Sequence, residues 1–283
     1  MGKLLKLSST EQYVEKGYYH PIDALTREEA AICLAHLERY ESKIGQPIDG
    51  KYRHKPHLLF PWLHDLISHP RVLDAVEDVL GPNILCWGSS FFIKEPEDPG
   101  YVSWHQDATY WGLDRPDVCT AWIALTPSTR ANGCMRVASG SHGKQITHTD
   151  TFHKDNLLSR GQEINAEVDE KDAVDLELSP GQMSLHHVRI IHGSNPNPTK
   201  TRRPPLTISP PPKKPLIRWL RVRWSLTSKP ASSTWRTGPV VTVHTRSFWL
   251  SRFVRVVGSL YASRPTLRTP PRGVTGVTAK AFR

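Results

Sequence analysis

Not one Asp or Glu occurs in the last eighty residues of this 283-residue chain. Residues 204–283 hold fifteen Lys and Arg, so the whole formal net charge of +10 arises there. Residues 1–203 carry 22 basic residues against all 27 acids and are themselves acidic. The excess charge is therefore not on the part patterned to fold, which argues against a folded nucleic-acid grip. Cysteine is scarce: Cys33, Cys86, Cys119 and Cys134 are scattered without metal-type spacing, as expected of reduced structural thiols in a cytoplasmic protein. Long apolar runs are missing as well. Met1-Gly2-Lys3-Leu4-Leu5-Lys6-Leu7 turns polar at Ser8, too short for a secretory leader, and no stretch would span a bilayer.

What is present divides by pattern. Thr26-Arg27-Glu28-Glu29 is a capping box, and Ala30, Cys33, Leu34 and Leu37 continue a helix that ends near Gly45. A second helix starts around Pro70, buries Val72, Leu73, Val76, Val79 and Leu80, and stops at Gly81-Pro82. Tyr52 to His57 reads as a polar loop. From Phe91 onward the pattern is strands and turns: Phe91-Phe92-Ile93, Val118 to Leu125, and Met183 to Ile191 closed by His192. Helices first and strands afterwards give an α+β arrangement, mainly β with flanking helices. The polar stretch from Ser139 to Asp172 reads as exposed loop, part of a lid, with His142, His148 and His153 facing solvent.

Within this frame Trp104-His105-Gln106-Asp107 stands out. Residues two apart on an extended segment point to one side, so His105 and Asp107 can hold one ion while Gln106 turns away. A distant His192, in His192-Gly193-Ser194, completes the 2-His-1-carboxylate set of a non-heme iron site, which leaves one face open. A basic residue follows ten or eleven positions later, at Arg202 or Arg203. The bland alternative is a His105–Asp107 hydrogen bond in a loop. Likewise His186, Tyr110, Trp111, Trp122 and Arg136 suit packing as well as a pocket, and Lys94 is a candidate contact for an anionic substrate.

In combination and order, Trp104-His105-Gln106-Asp107, Asn132-Gly133-Cys134-Met135-Arg136-Val137, Ser139-Gly140-Ser141-His142 and Leu185-His186-His187 leading to His192-Gly193-Ser194 resemble the phytanoyl-CoA dioxygenase-like Fe(II)/2-oxoglutarate oxygenases. The resemblance runs from about Ser9 to Arg203. It implies a double-stranded β-helix (jelly-roll, cupin-like) core, with Fe(II) held by His105, Asp107 and His192. It also implies 2-oxoglutarate bound by Arg203 with help from Ser194, with Arg202 as fallback, and O2 as the second co-substrate. The implied reaction hydroxylates a C–H bond of a small organic substrate while 2-oxoglutarate becomes succinate. Relatives that halogenate lack the carboxylate, so Asp107 points to hydroxylation. The substrate's identity and the oligomeric state are not legible.

Beyond Arg203 the acids, the periodicity and the likeness end together. The family core needs one more strand here; Leu206-Thr207-Ile208 begins one that Ser209-Pro210-Pro211-Pro212 would stop. We expect an oxygenase domain over 1–203 and a basic Pro/Arg/Ser/Thr-rich tail over 204–283, translated out of frame or disordered. Two alternatives stay open at this point: a catalytically impaired remnant without its last strand, and a basic-tail nucleic-acid-binding protein.

Overall fold

The computed structural model describes residues 2–49, 52–111 and 116–209. Helices α1 (Leu7–Lys16), α2 (Arg27–Ile44), α3 (Pro61–Ile67) and α4 (Pro70–Leu80) lie in the first eighty residues, and α5 (Ala108–Trp111) is a single turn. The capping box of α2 forms as expected: Thr26 Oγ1 accepts from Glu29 N (3.1 Å) and Glu29 Oε2 from Thr26 N (2.8 Å). α4 opens at Pro70, where a missing N–H costs nothing. Its Asp78 then accepts the backbone N–H groups of Lys3, Leu4 and Leu5, which ties down the start of the chain. α1 and α3 were not legible because each buries only two residues, too few for an apolar stripe.

The strands are β1 (Tyr18–Asp23), β2 (Gly88–Phe91), β3 (Val102–His105), β4 (Cys119–Ala124), β5 (Met135–Val137), β6 (His148–Asp150), β7 (Gln162–Ile164), β8 (Val174–Leu176), β9 (Gln182–His187), β10 (His192–Ser194) and β11 (Pro205–Ser209). They form a five-stranded sheet, β1-β9-β4-β11-β2, a four-stranded sheet, β3-β10-β5-β8, and a β6-β7 ribbon, with all pairings antiparallel. This is the expected mainly-β double-stranded β-helix with helices against one sheet.

Alternation along the strands explains the layers. Cys119, Ala121 and Ile123 of β4, Met183 and Leu185 of β9, and Leu206 and Ile208 of β11 pack with Leu37, Leu63, Leu66, Val72 and Val76 from the helices. The opposite face sends Trp122 and Ala124 into a second cluster with Met135, Val137, Leu176 and Ile190. β4 is buried on both faces, which is why its sequence reads as one apolar run.

Four expectations are corrected here. The last core strand is not missing: β11 spans Pro205–Ser209 and lies between β4 and β2. Its proline stands at the first strand position, where a missing N–H is tolerated. The run from Met183 to Ile191 is not one strand. Ile190 N bonds back to His187 O (2.9 Å), and this turn carries the chain from β9 in one sheet to β10 in the other. The stretch from 139 to 172 is not all exposed loop, since it contains β6 and β7, and His148 is half-buried with its Nε2 accepting from Gln106 N (2.9 Å). His142 is also half-buried, its Nε2 3.0 Å from Val14 O, so of the three histidines only His153 keeps its exposed place. The basic tail from 210 to 283 lies outside the described residues.

Candidate metal centre

His105 ends β3, His192 opens β10, and the two are register partners across the strand pair. Neighbouring strands thus set the two imidazoles side by side, ring centroids 4.1 Å apart. β3 stops at His105, so Asp107 lies in the turn into α5 rather than on an extended segment. Ala108 N, bonded to Val188 O (3.1 Å), fixes that turn. Asp107 Oδ1 lies 3.3 Å from His105 Nε2 and 3.9 Å from His192 Nε2, and one ligand atom from each residue falls within 4.8 Å of the others. Atoms sharing an ion at about 2.1 Å sit roughly 3–4 Å apart.

The histidine orientation is set by backbone. His105 Nδ1 is 2.9 Å from Ser103 O and His192 Nδ1 is 3.1 Å from Ile190 O, so each donates there and leaves Nε2 as the lone-pair face. Burial and the neighbouring His105 push His192 down to about 3. Burial acts against ionisation of Asp107, but His192, His105 and His186 outweigh it and hold the carboxyl well below the usual range. His192 as a neutral imidazole and Asp107 as a carboxylate, with the Nε2 of His105 beside them, make a donor set suited to Fe(II).

Gln106 turns away as expected and is fully buried. Its amide donates to Lys144 O (2.9 Å) and Arg189 O (2.5 Å), and its Oε1 accepts from Ile146 N (2.8 Å). The residue between the two ligands therefore clamps the chain before β6 and the chain before β10. Ser141 Oγ accepts from Ile191 N (2.9 Å), so the Gly140-Ser141-His142 turn steadies the residue next to His192. Gly133 is required by the backbone: its φ is 72°, and a Cβ would strike the carbonyls of Asn195 and Pro196.

His186 does not share a strand with His192. It reaches the centre from β9 in the other sheet, ring centroids 4.9 Å apart. Its Nε2 is 4.0 Å from Asp107 Oδ2, beyond hydrogen-bond range, and its buried Nδ1 has no partner among the described residues.

The choice between the two arginines is made by ion pairing. Arg202 pairs bidentately with Glu41 (2.7 and 2.8 Å) and through Nε with Glu95 (2.9 Å), so it is committed to structure. Arg203 is 3% exposed, lies over the Trp122 ring at 5.5 Å, and has no carboxylate in ion-pair range among the described residues. Its Nε is buried without a partner among the described residues. Burial lowers its pKa to about 10. Lys94, fully buried, is backbone-paired with Arg203, and its Nζ donates to Ser194 Oγ (2.8 Å) and to Asn195 O. Burial first, then Arg203, pushes Lys94 down to about 6. A buried guanidinium with no carboxylate in ion-pair range among the described residues, beside a buried amine that an added negative charge would protonate, marks a place for an anion. Ser194 joins this cradle to the metal triad, two positions along β10 from His192.

Arg136 and Trp104 lie elsewhere. Arg136 is held by Asp175 (3.0 Å) and Glu170 (2.8 Å) with its guanidinium over Trp104 at 5.7 Å, a packing role. Trp111 is half-buried, and the side chain of Tyr110 lies outside the described residues.

The sequence profile of the phytanoyl-CoA dioxygenase family matches residues 13–204, more than half of the chain. The chain belongs to that family. It is 30% identical over 212 residues to a probable alpha-ketoglutarate-dependent hypophosphite dioxygenase of Stutzerimonas stutzeri, covering 68% of this chain and 73% of the relative. It is 27% identical over 206 residues to a 1-deoxypentalenic acid 11-beta-hydroxylase of Streptomyces exfoliatus, covering 65% and 72%. With some other curated relatives the shared region spans about half of their length. Among solved structures, the non-heme monooxygenase ThoJ in its apo form superposes with a TM-score of 0.64 at 36% identity, covering 72% of this chain and 77% of that one. Phytanoyl-CoA dioxygenase family enzymes depend on Fe(II) and 2-oxoglutarate, and the two histidines, the carboxylate and the buried Arg203 found here fit both.

Proposed function

We propose that this chain hydroxylates a C–H bond of a small organic substrate, with Fe(II) held by His105, Asp107 and His192. The observation that carries the reading is the convergence of two backbone-oriented Nε2 atoms on one ionised carboxylate. When bound, Fe(II) with 2-oxoglutarate and O2 supplies the oxidising power for oxygen insertion, and 2-oxoglutarate leaves as succinate and carbon dioxide. Arg203 holds the far carboxylate of 2-oxoglutarate through its planar fork, and Ser194 and Lys94 complete that end of the cradle. Trp122 forms its apolar wall. Gln106 keeps the ligand-bearing turn in place and thereby limits water access. His186 packs beside the ligands without binding the ion.

β11 removes the structural motive for an impaired remnant. We further propose that the basic segment beyond the core takes no part in the chemistry, and that the protein works in the cytoplasm, in keeping with four free thiols. The test is Fe(II)-dependent conversion of 2-oxoglutarate to succinate by the full chain, beside His105→Ala, with metal binding followed by titration. Iron binding and succinate formation lost together in His105→Ala support the reading. Unchanged iron affinity in that variant would overturn it.

A further inference from the structure

The loop between β6 and β7, together with Arg53 from the segment between α2 and α3, borders an open cavity of 340 Å³, lined among others by Arg53, Phe152, His153, Lys154, Asn156 and Leu157. Its size falls in the range of small-ligand sites, about 300–1,000 Å³. Its place in the fold ties it to the metal centre. The buried Asn156 donates to Ser103 Oγ (2.8 Å), and the Ser103 carbonyl is the group that orients His105 through Nδ1. Ser103 and His105 are two apart on β3 and both buried, so they leave the strand on one face. Of the cavity lining, Asn156 is thus bonded to Ser103, which stands one strand repeat, about 7 Å, from His105 on the same face of β3. Two further bonds pin the loop to the strand's start: Tyr101 N to Asp155 O (3.0 Å) and Leu157 N to Tyr101 O (2.8 Å).

The lining chemistry is one-sided. Among the described residues three basic side chains contribute and no acid does; Asp49 and Asp155 stand nearby in sequence without lining the cavity. Arg53 donates through Nη2 to Leu157 O (2.9 Å) and lies 5.7 Å from the centre of the Phe92 ring, and its buried Nε has no partner among the described residues. Burial outweighs the pull of Asp49 and lowers its pKa, so this cation is under-compensated. At the rim Phe152 stays 67% exposed in a left-handed conformation, φ 52°, rare for an aromatic residue.

We propose that this cavity receives the negatively charged end of the substrate, a carboxylate or a phosphate, while the substrate's apolar body runs along Phe152 and Leu157 towards His105. The proposal rests on the reading of the chain as an iron hydroxylase and names the class of its substrate. Arg53 supplies a planar donor and Lys154 a mobile positive charge, and neither belongs to the 2-oxoglutarate cradle.

The test uses the full chain loaded with Mn(II) and saturating 2-oxoglutarate, so that the cradle is already filled. Calorimetric titration compares hexanoate and hexyl phosphate with 1-hexanol, in the wild type and in Arg53→Gln and Lys154→Gln. The expected result is that at least one anion binds about tenfold or more tighter than the alcohol, in line with a charge-assisted hydrogen bond. Lys154→Gln, at an exposed position where folding is not at stake, should cut that preference at least threefold, and Arg53→Gln further. Two results would overturn the proposal: both anions within threefold of hexanol, or a preference that survives in both variants. Mn(II) and 2-oxoglutarate affinities measured on the same samples separate this failure from failure of the hydroxylase reading, which would abolish those instead.

Discussion

Arg203→Met should move ligand-free stability and co-substrate affinity in opposite directions. In the ligand-free protein Arg203 is a buried cation with, among the described residues, one orphaned donor and no carboxylate in ion-pair range. The fall of its pKa from an ordinary 12.5 to about 10 corresponds to roughly 3 kcal/mol against the charged form in the fold. Methionine removes that cost but forfeits the stacking over Trp122, worth about 0.5–2 kcal/mol, along with some packing. The balance is a gain near 1 kcal/mol, or about 2–4 °C in Tm for a domain of this size. With 2-oxoglutarate at a hundred times its Kd, the wild type should gain about 2.7 kcal/mol more. The variant should gain at most about 1 kcal/mol at the same concentration, because truncating one partner of a buried charge pair costs about 2–5 kcal/mol in binding. Thermal unfolding with Mn(II), with and without 2-oxoglutarate, reads both effects in one plate. A variant that melts well below wild type yet keeps its 2-oxoglutarate shift would refute the reasoning, since Arg203 would then be a structural residue.

Three other outcomes follow from the same geometry. Lys94 has a folded pKa near 6, far below its ordinary 10.5, so between these values the unfolded chain binds more protons. Ligand-free stability should therefore rise with pH across that window, and Lys94→Met should flatten the rise in denaturant titrations. Ending the chain after Ser209 should leave a folded protein. Ending it after Arg203 removes Leu206 and Ile208 from the core, about 1.5–3 kcal/mol each, and exposes the edges of β4 and β2; circular dichroism and solubility distinguish the two. His186→Phe should leave Fe(II) affinity within about threefold, because its Nε2 is 4.0 Å from Asp107 and its Nδ1 has no partner among the described residues. His105→Ala should lose about a hundredfold or more in the same anaerobic titration.

The elements that were legible carry their own local signals. α2 declares itself through Thr26 and Glu29, α4 through Pro70 and an apolar stripe, and β4 through a continuous apolar run. The missed elements lack such signals, as with α1 and α3, or depend on a partner, as β1 depends on β9. β11 shows the limit most clearly. Its five residues are bounded by prolines and read as an interrupted strand, yet β4 on one side and β2 on the other supply the hydrogen bonds that hold it.

By itself the sequence pointed to the identities that chemistry demands: His105, Asp107 and His192 as candidate ligands, Asp107 as the acid that favours hydroxylation, and a basic residue near 203. A motif fixes which atoms are available, and local spacing suffices for that. The tertiary structure decided how those atoms are used. Only the pairing of β3 with β10 brings the two imidazoles together, and only Glu41 and Glu95 reveal that Arg202 is spoken for while Arg203 is not. Arg53, in a loop that read as merely polar, gains a role because a distant loop folds over β3. Electrostatic compensation is a property of neighbours in space, and a linear sequence does not list them.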